Sequence, residues 1–236
     1  MATIVEHAYP VQIPVNHVQL DGDLIIPEHA HGLVLFAHGS GSSRHSSRNR
    51  YVATELRQAG LATMLMDLLT RREEQVDART AHLRFDINLL ADRLVAAAEY
   101  LALDPRTMNL PIGLFGASTG GGAALVAAAR KPQLVHAIVS RGGRPDLADD
   151  ALPRVRCPVL LIVGGEDQQV IELNRHSMAQ MRTEAELAII PGATHLFEEE
   201  GALEQVALLA AEFFNRHLQH QQDKLVLDGL DPRDDM

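Results

Sequence analysis

"GLFGASTGGG", residues 113–122, decides how this chain is read. A short apolar run leads into it and an alanine-rich run follows, so it lies between a strand and a helix. Glycine-rich turns in that position cradle phosphates, hold dinucleotides or lift a side chain out of a sheet. Within it, Gly116-Ala117-Ser118-Thr119-Gly120 fits the pattern G-x-S-x-G. A serine at so sharp a turn is held in a strained backbone conformation, costing about 1–3 kcal/mol. The residues two positions away must be small, because a side chain there collides with strand or helix. Gly121, Gly122, Ala123 and Ala124 extend the small stretch and let the helix press on the sheet.

Outward from the turn, short apolar runs alternate with helical patterns. Leu33–Ala37, Leu61–Asp67, Ile112–Phe115, Ala137–Ser140, Val159–Val163 and Leu187–Ile190 are too short for helices and end in turn residues, so each is expected to be a buried strand. Helices are expected near Asn49–Gln58, Arg84–Leu101, Ser118–Arg130, Ile171–Met181 and Leu203–Leu218. "VDARTAHLRFDINLLADRLVAAAEYL", from Val76, has the spacing of one amphipathic helix on a sheet. Ile13–Ile26, split by "DGD", suggests a hairpin. The alternation implies an α/β fold, a mostly parallel sheet flanked by helices, in one domain over residues 1–219. From His220 the chain is polar and acid-rich, and residues 220–236 are expected to form a tail.

In such sheets ligands gather at the carboxyl ends of the strands. Asp167 follows the strand Val159–Val163, and His195 follows Leu187–Ile190. A nucleophilic serine needs a base, and the base needs an acid to orient it. Ser118, Asp167 and His195 occur in the serine–acid–histidine order of an α/β-hydrolase. After Leu33–Ala37 comes "HGSGSS", residues 38–43. An oxyanion needs two preorganised N–H donors, worth about 3–4 kcal/mol apiece. The backbone N–H groups of Thr119 and Ser40 are the candidates.

Bulk composition narrows the classes. The chain has 236 residues, 46% of them hydrophobic, with no Trp, so its core is aliphatic. A net charge of −10 argues against nucleic acid and against anionic membrane surfaces. The single cysteine, Cys157, excludes an internal disulfide framework. The N-terminus lacks a basic-then-apolar leader, and no apolar run is long enough to span a bilayer. A cytoplasmic protein acting on a small molecule is expected; oligomeric state is not legible.

Simpler roles compete for the same residues. Ser118 and Asp167 are each good helix caps, and His195 is one of 12 histidines. Glu166 is the alternative acid. His38 reads as a structural residue shaping its loop, and Arg141 as a rim residue able to contact substrate. The His29-x-His31 pair and His45 lack the further ligands a metal needs, so neither metal nor cofactor is expected. The rival function is nucleotide or phosphate binding, or a non-catalytic role, at the glycine-rich turn. Against it, the turn lacks the lysine of G-x-x-x-x-G-K-[ST] and does not fit G-x-G-x-x-G.

Over residues 13–218 the chain resembles the α/β-hydrolases, specifically their dienelactone-hydrolase-like branch. The stretches that carry it are "HGSGSSRHSSRNRYVA", "GASTGGGAAL", "SRGGRPDLA", "VGGEDQQV" and "PGATHLFEE". The resemblance implies a triad of Ser118, Asp167 and His195, an oxyanion hole from the "HGS" loop plus Thr119, and cleavage of carboxylic esters, thioesters or lactones. Dienelactone hydrolases proper use cysteine where this chain has Ser118. Only "RGGRPDLADDALPRVRC" separates two strands where many relatives insert a cap, so no cap domain and an open cleft are expected.

Overall fold

Strands buried on both faces read as continuous apolar runs, and four such runs form the centre of the sheet. β3 (Gly32–Ala37), β4 (Leu61–Met66), β5 (Ile112–Ala117) and β7 (Val159–Gly164) are buried along their whole length. The computed structural model describes residues 5–227, with side chains described as far as residue 219. β1 (Glu6–Val15), β2 (Val18–Pro27), β6 (Val135–Arg141) and β8 (Ala185–Ile190) complete an eight-stranded sheet ordered β1-β2-β4-β3-β5-β6-β7-β8. β1 and β2 pair antiparallel, and β2 runs antiparallel to β4. Every other pairing is parallel.

The two-residue period of a strand divides the core into two layers. Val34, Phe36 and Phe115 face a layer closed by α1 (Ser47–Gln58) and α6 (Ala202–Leu227), which bring Val52, Leu56, Phe213 and Phe214. Leu33, Leu35 and Leu114 face the other layer, closed by α3 (Ile87–Leu103) and α4 (Thr119–Arg130). α5 (Gln168–Met178) packs Val170 and Ile171 against Val163.

Three expectations are corrected. The hairpin turns at Asn16-His17, with Val15 opposite Val18, and "DGD" lies inside β2. Asn16 takes φ 51°, which a short polar side chain tolerates. Gly22 lies within the strand against the flexible end of the Met64 side chain, which a Cβ there would displace. The helix expected from Val76 is broken: α2 (Arg71–Thr80) ends at Ala81, φ 55°, and a 3-10 turn, Leu83–Phe85, precedes α3. Thr70 and Glu73 form a capping box that starts α2, and the Asp77 carboxylate accepts from the Leu83 N–H at 2.7 Å, folding the chain back. α6 continues to Leu227 instead of ending at Leu218, because no glycine or proline interrupts the sequence before Gly229. Of the expected tail, residues 228–236 lie outside the described residues.

Replacing Asn16 by glycine is expected to leave stability nearly unchanged, whereas valine, β-branched at a left-handed position, should cost about 1–2 kcal/mol. Urea unfolding of the two variants measures the difference, and equal midpoints would contradict the turn assignment.

Candidate active site

Register places the chemistry on one rim. Ala37 lies beside Gly116, Ala117 beside Arg141, and Arg141 beside Ile162, so β3, β5, β6 and β7 end together. Ser118 leaves β5 at φ 52° and ψ −121° and makes no side-chain cap to α4. Its N–H donates to the Arg141 carbonyl at 3.2 Å, and its own carbonyl accepts from Gly121 and Arg144 at 3.0 and 3.1 Å. These bonds hold the strained conformation in place. A Cβ on Gly116 would lie 2.6 Å from the Gly120 carbonyl, and one on Gly120 would lie 2.7 Å from the His38 carbonyl. Both glycines are required sterically.

The loop after β3 crosses directly over this elbow. A Cβ on Gly39 would sit 3.2 Å from the Ser118 Cβ, so any side chain there would crowd the serine. His38 fixes the loop from behind: its Nε2 accepts from the Leu68 N–H at 3.0 Å, and its Nδ1–H donates to the Gly39 carbonyl at 2.9 Å. Burial pushes the His38 imidazole below its ordinary range, which keeps it in this neutral, bifunctional form. Arg44 ties the next part of the loop to Asp67, through its N–H at 2.8 Å and through its guanidinium. Thr119, buried at the head of α4, has an N–H with no intrahelical acceptor.

Asp167 heads α5 but makes no side-chain cap. Its Oδ2 instead accepts from His195 Nδ1 at 2.7 Å. The loops that carry the pair are laced together, with the Glu166 N–H donating to the Ala193 carbonyl at 3.0 Å. Glu166 itself is exposed and pairs with no basic group among the described residues. Glu199 stiffens the histidine loop by accepting from the Thr194 hydroxyl at 2.6 Å and its N–H at 3.1 Å, and these bonds hold its carboxyl below the usual range.

Two hollows flank the glycine-rich loop. One, about 260 Å³, is lined by Ser118, His195, Arg141, Arg48 and Asn49. The other, about 520 Å³, opens toward α2 and is lined by Thr119, Glu74, Asp77 and Arg84. Gly39 and Ser40 line both. The β6–β7 connection is the short segment Pro145–Arg154, and no cap domain lies there among the described residues. The cleft is nonetheless walled by α2, which the sequence reading merged into a longer helix. Arg48 and Asn49 were missed as well; they fall in the first turn of α1, and nothing in their spacing marks them as lining residues. Cys157 is buried and its thiol is pushed up to about 12, far from a reactive thiolate.

This sheet order, with a strained serine after β5 and an acid–histidine pair over β7 and β8, is that of an α/β-hydrolase fold. Residues 20–223 match the dienelactone hydrolase family, and the chain belongs to that family. It is 60% identical to a dienelactone hydrolase from Anabaena variabilis, with a TM-score of 0.89 over 90% of this chain and 99% of that one. Est1E from Butyrivibrio proteoclasticus shares the fold at 18% identity, with a TM-score of 0.74 over 88% of this chain and 98% of that one. Two Mycobacterium tuberculosis proteins, from strains CDC 1551 and H37Rv, are 57% identical over 208 residues, 88% of this chain, and are named "Putative phosphoribosyl transferase". The chain spans 46% of their length. Among the described residues no helix is long and apolar enough to cross a membrane.

His38 gives the site a stability signature. Neutral when folded, it regains the ordinary histidine value of about 6.5 on unfolding. The unfolded chain then binds the extra proton, so this stability is present above that value and is lost as pH falls toward the folded one. Urea midpoints taken between about pH 7.5 and 5.5 should fall more steeply for the native chain than for His38→Gln; parallel curves would contradict it.

Proposed function

We propose that this hydrolase cleaves carboxylic esters, lactones included, through an acyl-enzyme on Ser118. One observation carries the reading: Asp167 holds His195 by its Nδ1 at 2.7 Å, while His195 and the strained Ser118 line the same hollow. With Nδ1 donating to Asp167, the Nε2 of His195 is left as the base. It takes the proton of the Ser118 hydroxyl as Oγ attacks the ester carbonyl. The oxyanion that forms is received by the N–H groups of Ser40 and Thr119, supplied by the loop over the elbow and by the head of α4. His195 then gives its proton to the leaving alkoxide, and the C–O bond breaks. Water, deprotonated by the same imidazole, releases the acid and returns the serine.

The Anabaena relative, named a dienelactone hydrolase, supports a cyclic ester among the substrates. Phosphoribosyl transfer is not part of this proposal, since that name describes proteins about twice as long as the shared part. Nucleotide binding at the turn is also disfavoured. Asp67, at the end of β4, lies upstream of the turn, whereas a ribose contact needs an acid about 20 residues downstream, and it is occupied by Arg44. A buried thiol and no disulfide suit the reducing setting of the cytoplasm.

Ser118→Ala should lower the turnover of p-nitrophenyl acetate by about 10³-fold or more, and Asp167→Asn by about 10⁴-fold, through loss of the correct histidine tautomer. Turnover by Ser118→Ala equal to that of the native chain would remove the proposal.

A further inference from the structure

Asn174 is a buried polar side chain that the reaction above does not use, and it lies on the helix headed by the acid of the triad. It is 0% exposed, in the middle of α5, about two turns after Asp167. Stability does not account for it. Asparagine is a poor residue for a helix interior, and its Oδ1 is buried with no hydrogen-bond partner among the described residues. An apolar side chain at this position would avoid both costs. The amide instead reaches out of its own helix. Its Nδ2 donates to the Gly143 carbonyl at 3.0 Å and to the Val170 carbonyl, four residues back, at 2.8 Å. The second bond fixes the side chain on α5, so the first holds Gly143 at a set distance from that helix.

Gly143 sits in the short turn after β6, and that turn meets Ser118, α4 and His195 together. Two residues before Gly143, the Arg141 carbonyl accepts from the Ser118 N–H at 3.2 Å. One residue after it, the Arg144 N–H donates to the Ser118 carbonyl at 3.1 Å. Gly142, at φ 51°, passes close to His195: a Cβ on it would lie 3.5 Å from the imidazole Cε1. Gly143 itself packs on the first turn of α4, where a Cβ on Gly121 would lie 3.1 Å from the Gly143 Cα. Backbone bonds tie the turn to β5 and, from the Gly142 N–H to the Ile162 carbonyl at 2.7 Å, to β7. The Asn174 amide adds the tie to α5.

We propose that Asn174 is a positioning residue: through Gly143 it sets the spacing between the helix that carries Asp167 and the turn that grips Ser118, and so keeps the serine hydroxyl in reach of His195. This rests on the hydrolase reading for its kinetic consequence, though not for the link itself. Without the amide the turn keeps its backbone bonds and shifts relative to α5, so that serine and base remain present but misaligned. Asn174 touches no reacting atom and lines neither hollow, so the loss falls on the chemical step and not on substrate affinity.

The test compares the full native chain with Asn174→Leu, which keeps the volume and removes the donor, and with Val170→Ala, which loosens α5 one turn earlier and leaves the donor in place. Turnover of p-nitrophenyl acetate, the rate of fluorophosphonate labelling at Ser118 and the melting temperature are measured for each. Asn174→Leu should lower kcat about tenfold or more, with KM within about twofold of native, and should slow labelling by the same factor. Val170→Ala should lower the melting temperature while kcat stays native. If Asn174→Leu does not fold, Asn174→Ser, too short to reach Gly143, is expected to show the same loss and decides. A native kcat in the Asn174 variant, or an equal loss in Val170→Ala at the same melting temperature, overturns the positioning role while leaving ester hydrolysis in place. A native chain that turns over no ester and takes no label removes the hydrolase reading. The link is then read from amide hydrogen exchange at Ser118 and Arg144, whose protection should fall in the Asn174 variant and not in Val170→Ala; unchanged protection overturns it.

Discussion

The backbone of Ser118, held at φ 52°, is the constraint on which the rest of the site depends. A non-glycine residue there is strained, and the strain persists only because the surroundings over-determine it. Arg141, Gly121 and Arg144 fix its backbone by hydrogen bonds. The absence of side chains at Gly116, Gly120 and Gly39 lets strand, helix and loop close on it. Release of that turn would move Ser118 away from His195 and separate the head of α4 from the β3 loop. The parallel register of β3, β5 and β6 therefore does more than form a core. It brings three chain segments to one level, so that a single residue can be gripped from each.

Electrostatics follow from the same convergence. Helices that begin at the rim aim N–H groups into the cleft, and the acids Glu74 and Asp77 line the hollow toward α2, not the one that contains Ser118. His38 and Glu199 illustrate how loops, which lack ladder hydrogen bonds, are made rigid by side-chain bonds instead. The β3 loop divides the space into two hollows. One is positive and contains Ser118; the other is rich in hydroxyl groups and closed by the Asp77–Arg84 pair.

Sequence made the centre of this fold readable and its edges less so. The four central strands β3, β4, β5 and β7 stood out because full burial demands unbroken apolar runs, a local signal. Ser118, Asp167 and His195 were legible because each follows such a run, and strand order then places them on one rim. The hairpin was misplaced because glycine marks a turn but also occurs within strands, as Gly22 does between Val11 and Met66. The break at Ala81 was hidden because what ends α2 is a carboxylate reaching forward from Asp77 to the Leu83 N–H, which leaves the apolar spacing undisturbed. Arg141 was visible as a strand-end residue. Asn174 was not, since its bond is a property of three-dimensional neighbours, and it reaches Gly143 from a helix 31 positions away in sequence.

The most direct measurement is labelling by a fluorophosphonate, which reacts with serines whose hydroxyl is deprotonated by a neighbouring base. Peptide mass spectrometry of the labelled chain should place the phosphonyl group on Ser118, and His195→Ala should abolish the adduct. An unlabelled Ser118 in the folded native protein, or labelling undiminished without His195, would contradict an activated serine at the elbow.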